Sequence, residues 1–333
     1  MMLSAVEPPE AHGVPRDGVR MLVAHPTGIW HAHFADLTRY LNPGDLIVVN
    51  NSATLAAAAD GRRGNDKVTV HFSTELDDGR WVVEVRPPGK AAGSIQDLVA
   101  GERIELDGGE FPWGDLVLET PYVPGRLWRA KVSMSVPEFL GEHGRPIRYA
   151  YVDREWPIED YQTVFARTPG SAEMPSAGRP FSTGLVTSLV AAGVTVAPIT
   201  LHTGVSSLED GGGPLPERFH VPEATARLVN LTRAANRRVV AVGTTVTRAL
   251  ESVAADGKVT GGAGWTDLVL GPDRPAQVVG GLITGWHAPG ASHLLLLQAV
   301  AGKDLVSRAY AAAETAGYLW HEFGDSCLLL PDD

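Results

Sequence analysis

Several short segments combine side chains that move protons, hold anions or stack on bases. Ile199-Thr200-Leu201-His202-Thr203-Gly204 ends a run of branched residues in a histidine beside a glycine, where an imidazole is suited to act as a general base near neutral pH. A buried, hydrogen-bonded histidine is the plainer account. Val239 to Val242 runs into Gly243-Thr244-Thr245, with Arg248 one turn further on. That spacing reads as a strand, a glycine turn and a helix start with a threonine as N-cap, a place where amides, hydroxyls and a guanidinium suit a carboxylate or phosphate. An ordinary strand-to-helix connection has the same letters. Tyr161-Gln162-Thr163 and the following stretch to Pro175-Ser176-Ala177-Gly178 pack prolines, glycines and hydroxyls into a rigid, donor-rich loop. Trp265-Thr266-Asp267 and Thr284-Gly285-Trp286-His287 set indole faces beside polar tips, as a purine pocket needs and as buried tryptophans also do.

Other chemistries lose support. No G-x-G-x-x-G follows a strand, and neither a P-loop nor a G-x-S-x-G elbow occurs, which removes the main signals for dinucleotide, nucleoside-triphosphate and α/β-hydrolase sites. His31-x-His33 lacks carboxylate or thiolate neighbours at ligand spacing, so no metal site is expected. The single cysteine, Cys327, excludes an internal disulfide.

These residues need elements to hold them. Leu46 to Asn50 (LIVVN) is an apolar run suited to a strand buried on both faces. Asn50 and the polar residues after it then stand at a strand's carboxyl end, where α/β sheets collect ligands. From about Lys67 to Met134 the pattern changes to short alternating segments with Asp78-Gly79 and Asp107-Gly108-Gly109 turns, which describes a small antiparallel barrel or sandwich. Within it only Ser94 to Ala100 reads as helical. Beyond Pro146, strands at Val194, Val239 and Val278 alternate with helices near Pro222, Ser292 and Asp304, and Ser326 to Leu330 closes as a strand. The expected architecture is a mixed-sheet α/β domain, residues 1–58 and 145–333, interrupted by an inserted small antiparallel β-barrel, residues 59–144.

The 333 residues and 44% apolar content suffice for two packed units. The net charge of −11 provides no general polyanion-binding field, so contact with a nucleic acid needs a local basic patch. Such patches exist around Arg62, Arg126, Arg145 and Arg233. The first 20 residues hold acids and prolines and no apolar core of a signal peptide. A cytoplasmic monomer with no membrane contact is expected.

Taken together, GDLIVVN, YQTVFA with PGSAEMPSAG, TLHTG, VPEATARLVN, RVVAVGTT with RALES, GWTDLVL, GLITGWHAP with LLLLQAVAG, AYAAAETAGY and FGDS resemble the S-adenosylmethionine:tRNA ribosyltransferase-isomerase family of queuosine biosynthesis. The blocks run in the family's order over nearly the whole chain. The resemblance implies an α/β domain with an inserted barrel. It also implies transfer of the ribosyl unit of S-adenosylmethionine to 7-aminomethyl-7-deazaguanine at the tRNA wobble position, giving epoxyqueuosine and releasing adenine and methionine, without a metal. The partners it implies are tRNA and S-adenosylmethionine, the latter as co-substrate. His202 would be the base, Asp267 and His287 proton shuttles or orienters, and the Gly243 turn with Arg248 a holder of the methionine carboxylate or a phosphate. Substrate contacts are expected from Asn50, Tyr161, Gln162, Thr163, Pro175, Ser176, Ala177, Gly178, Gly204, Gly243, Thr244, Thr245, Arg248, Trp265, Thr266, Thr284 and Trp286.

The chain departs from the family where charge is carried. Asn51-Ser52-Ala53 stands for Asp-Thr-Arg, Arg179-Pro180-Phe181 for Leu-His-Phe, and Pro214-Leu215 for Met-His. Gly204-Val205-Ser206-Ser207-Leu208 and Gly285-Trp286-His287-Ala288-Pro289-Gly290 also differ from the family's wording. The leading reading is therefore this ribosyl transfer with tRNA as acceptor. A divergent paralogue with a small-molecule acceptor, and a non-catalytic binding module, are the alternatives.

Overall fold

Leu46–Asn50 has no exposed residue, as a strand covered on both faces requires. In the structure, a computed structural model that describes residues 3–89, 93–109, 112–205, 214–287 and 292–331, this strand lies inside a nine-stranded mixed sheet. Leu46 and Val48 enter the core on one face and Ile47 and Val49 the core on the other, the period-two alternation of a strand. Helices Glu223–Ala234, Thr244–Ser252, Ser292–Ala301 and Lys303–Thr315 supply side chains to the first core. Helix Thr183–Ala191 and the 3-10 turn Phe34–Tyr40 supply the second.

Four strands at the heart of the sheet, Thr195–Leu201, Leu46–Asn50, Val239–Val242 and Gly281–Gly285, run parallel to one another. Their carboxyl ends therefore share one edge, and loops that leave it must converge. Two antiparallel neighbours begin at that same edge: Leu201 pairs with Phe219, and Gly285 with Ser326. Residues just before those strands thus join the edge from the other chain direction.

The chain leaves this layer after Ser52–Thr54 and builds a closed six-stranded barrel from Ala58–Arg63, Asp66–Glu75, Trp81–Arg86, Arg103–Asp107, Pro112–Val123 and Leu127–Val132. Phe72, Val83, Ile104 and Leu118 fill it, and helix Val136–His143 adds Val136, Phe139 and Leu140 to the same core. The return path places Thr168–Ser171 parallel to Ser52–Thr54. The mixed-sheet and barrel expectations are met.

Local expectations need correction. Ser94 to Ala100 forms no helix. The Ser94 hydroxyl donates to Glu84 at 2.7 Å and the Ile95 amide to the Val85 carbonyl at 2.9 Å, so the segment is tied to a barrel strand instead of to its own next turn. An additional helix, Thr183–Ala191, is capped by Ser182, which accepts from the Leu185 amide at 3.0 Å. No described helix is long and apolar enough to cross a membrane.

Glu84 is 1% exposed within the barrel wall, 2.9 Å from Arg126 and 3.1 Å from Arg86. Burial alone would raise its pKa, but His71, Arg126 and Ser94 outweigh burial and hold the carboxyl well below the usual range. Glu84→Gln should cost about 3–5 kcal/mol, because it removes the buried carboxylate with which Arg126 pairs. With a depressed folded value, the stabilisation is complete above the unfolded carboxyl's pKa of about 4.3 and declines as pH falls below it. Thermal melts between pH 3 and 7 should show that acid-side decline in the wild type and a flatter profile in the variant.

Candidate functional site

The converging loops enclose a cleft of about 340 Å³. Strand ends contribute Thr203-Gly204-Val205, Gly243-Thr244-Thr245 and Thr284-Gly285-Trp286-His287. The loop from Glu173 to Ala177 forms another wall, and Ser73, Thr74, Val82 and Tyr122 reach in from the barrel. Among the expected substrate contacts, Pro175, Ser176, Ala177, Gly204, Gly243, Thr244, Thr245, Arg248, Thr284 and Trp286 line this one cavity, together with His287.

Gly243 allows the turn. Its φ of 89° is a left-handed value that favours glycine, and a Cβ there would sit 3.2 Å from that of Ala177. Gly243 itself occupies the helix cap, so the expected threonine cap is not formed; Thr247 instead donates to the Gly243 carbonyl at 3.3 Å. One turn on, Arg248 pairs with Glu217. Burial raises the Glu217 carboxyl despite that partner, and the Gly204 amide donates to it at 3.3 Å. Arg248 Nη1 is buried with no hydrogen-bond partner among the described residues.

His287 Nε2 lies 3.2 Å from the Thr284 hydroxyl, which also reaches the Gly285 carbonyl at 3.0 Å. Burial first, and then His293 and His321, lower the pKa of His287 well below the ordinary value, so the ring is neutral at pH 7. It stacks on His293 at 4.4 Å. Trp286 is 2% exposed and packs edge-on against Tyr310 and Tyr318.

His202 lines a different cleft, of about 320 Å³, with Arg218, Trp265, Thr200 and Asp77. Its Nδ1 is 2.7 Å from the Ser52 hydroxyl, which lies 2.6 Å from that of Ser171. Burial and Arg218 lower its pKa. The Arg218 guanidinium lies over the Trp265 ring at 4.8 Å, and both residues bond Asp77.

Other expected contacts line neither cleft. Asn50 bonds the Leu201 backbone on both sides, donating at 2.8 Å and accepting at 3.0 Å. Gln162 does the same with Thr54, at 2.8 and 3.0 Å. Tyr161, Thr163 and Gly178 are buried around that loop. Thr266 is 3% exposed and bonds Ser252 at 2.6 Å, and Asp267 is exposed. Ser206, Ser207 and Leu208, and Ala288, Pro289 and Gly290, lie outside the described residues. Arg179 is 2% exposed and bonds Glu10 at 3.0 Å.

The sequence reading missed Glu173, Glu217, His293, His321 and Glu322, and the stacked Tyr149 and Tyr151, all of which line the larger cleft. Glu217 opens one antiparallel strand and Glu322 precedes another, so only the strand order brings them to the edge. The arginines of the basic clusters largely face carboxylates: Arg63 meets Asp97, Arg129 meets Asp78, Arg145 meets Asp60, and Arg126 meets Glu84. Among the described residues no group of three or more His, Cys, Asp or Glu is placed to hold a metal.

The family described as Queuosine biosynthesis protein matches residues 2–329. An S-adenosylmethionine:tRNA ribosyltransferase-isomerase of Moorella thermoacetica is 37% identical over 95% of this chain and 94% of its own. That of Synechococcus elongatus is 35% identical over 96% and 91%. A solved S-adenosylmethionine tRNA ribosyltransferase from Thermotoga maritima shares 28% identity and a TM-score of 0.54, covering 98% of this chain and 96% of that one.

A Cβ on Gly170, whose φ is 154°, would approach His202 Nδ1 to 2.5 Å. Gly170→Ala should displace that ring from Ser52 and cost about 1–3 kcal/mol. Thermal unfolding and the imidazole resonances of His202 measure the two effects, and unchanged resonances would show that the backbone yields instead.

Proposed function

The chain belongs to the queuosine biosynthesis protein family, whose relatives are ribosyltransferase-isomerase enzymes, and on that premise we propose that it transfers the ribosyl unit of S-adenosylmethionine to the 7-aminomethyl-7-deazaguanine wobble base of tRNA in the cytoplasm. Epoxyqueuosine, adenine and methionine are the products. The observation that carries this reading is the meeting of the Ser176-Ala177, Gly243-Thr244-Thr245 and Thr284-to-His287 turns around one cleft with Arg248 in its wall.

The donor's three parts suit that wall. Arg248 has an unpartnered Nη1, so a methionine carboxylate there satisfies a buried nitrogen that Glu217 leaves without a bond. The sulfonium withdraws electrons from C5′ and acidifies its protons, and a positioned base removes one while adenine departs from the sugar. Two histidines compete for that role. His202 is the base that the family resemblance implies. His287 is favoured by the cavity itself, since it lines the same cleft as Arg248 and is neutral at pH 7. His202, on the adjoining cleft beside Trp265 and Arg218, then belongs to the acceptor side. Asp267 is exposed and lines neither cleft, and in this reading it is a proton carrier to solvent. A small-molecule acceptor is the second reading, favoured by Ala53, where the family carries an arginine.

Incubation with S-adenosylmethionine and tRNA bearing the deazaguanine base should release adenine and methionine in equal amounts and add the ribosyl unit to the nucleoside mass. His287→Ala should lower kcat by about 10²–10⁴-fold, and His202→Ala should act mainly on KM for tRNA. Adenine release that needs only the free base, with tRNA inert, would establish the small-molecule acceptor. Calorimetry showing no donor binding at millimolar concentration would end both readings.

A further inference from the structure

The donor cleft holds an acid that the reaction above does not use. We propose that the carboxyl of Glu322 is the counter-ion by which this protein selects a sulfonium donor over its uncharged thioether counterpart, releasing its own proton to solvent as the donor binds. The inference rests on the donor reading and deepens it.

Glu322 lines the same cleft as Arg248. Its Oε2 accepts from the Tyr151 hydroxyl at 3.3 Å, while Oε1 is buried with no partner among the described residues. Among the described residues no ion pair reaches it, and Arg179, whose charge lowers it, is paired with Glu10 at 3.0 Å. The other groups that act on it offer no positive charge. Glu173 adds negative potential, Tyr161 keeps its proton because burial raises it, and burial lowers His321 to about 4. Burial first, then Glu173, raises Glu322 to about 8, so it is uncharged at pH 7. An acid in this condition lacks a cation. Three rings border the same space: Tyr151 stacks on His321 at 3.9 Å and on Tyr149 at 5.7 Å, and all three line the cleft. Arg248 for the carboxylate and Glu322 for the sulfonium together match a donor that carries both signs. The proton balance is simple. The O–H bond of Glu322 breaks, the proton enters solvent, the carboxylate pairs with the sulfonium, and no bond to carbon changes.

Calorimetry in buffers of different ionisation enthalpy tests this, with S-adenosylmethionine and S-adenosylhomocysteine as probes. Wild type at pH 7 should release about 0.9 proton per sulfonium bound, as expected for a group near 8. It should prefer the sulfonium by roughly tenfold or more. That preference should strengthen roughly tenfold from pH 7 to pH 9 as the acid ionises, the ratio cancelling the amino group common to both probes. Glu322→Gln should lose both the proton release and the preference, whereas Glu322→Asp, which retains an acid, should keep the preference. If the Gln variant binds with wild-type preference and proton release, Glu322 merely braces Tyr151 and the inference is wrong. Absence of sulfonium binding to wild type would instead remove the donor reading, and this inference with it.

Discussion

The site depends on an amide that lines neither cleft. Asn50 ends a buried strand and bonds both the N–H and the C=O of Leu201 on the neighbouring strand, while its oxygen also accepts from the Ser52 amide at 3.0 Å. A buried amide satisfied in this way fixes two strand ends relative to each other. On one of those strands follow Thr203 and Gly204 of the larger cleft, and on the other Ser52, which orients His202. An aspartate or leucine at position 50 could not both donate and accept, so the two clefts would lose their common registration.

The barrel is joined to this edge by more than its two linkers. The Val205 amide donates to the Ser73 hydroxyl at 3.0 Å, and a Cβ on Gly204 would come within 2.8 Å of the same oxygen. Ser73 and Thr74 thereby enter the cleft wall next to Gly204. On the other flank, Asp77 at the barrel tip bonds Arg218 and Trp265 of the sheet edge. The inserted unit thus helps to enclose both cavities, which explains how a sheet with conventional strand-end chemistry comes to have two adjacent clefts.

Much of this was legible in the sequence because it follows from local rules. LIVVN, the alternating Val68-Val70-Phe72 run and the Gly243 turn each announce their conformation through side-chain shape and periodicity. The misses have a physical pattern. Ser94 to Ala100 follows helical composition but is captured by hydrogen bonds to a barrel strand, a tertiary override of propensity. Gln162 and Tyr161, expected as ligand contacts, line neither cleft; one clamps backbone and the other is a buried ring. Glu217 and Glu322 carried no signal, because their nearness to Arg248 and Tyr151 arises from strand order across separate parts of the chain.

The excursion that forms the barrel starts and finishes at neighbouring points, since Ser52–Thr54 and Thr168–Ser171 run side by side in parallel register. A detour with coincident endpoints is a cassette. It can lengthen, shrink or be exchanged over evolutionary time without moving the seam where it is sewn in. Descendants of such a scaffold are free to remodel what they grip with the cassette while the machinery beneath it stays put.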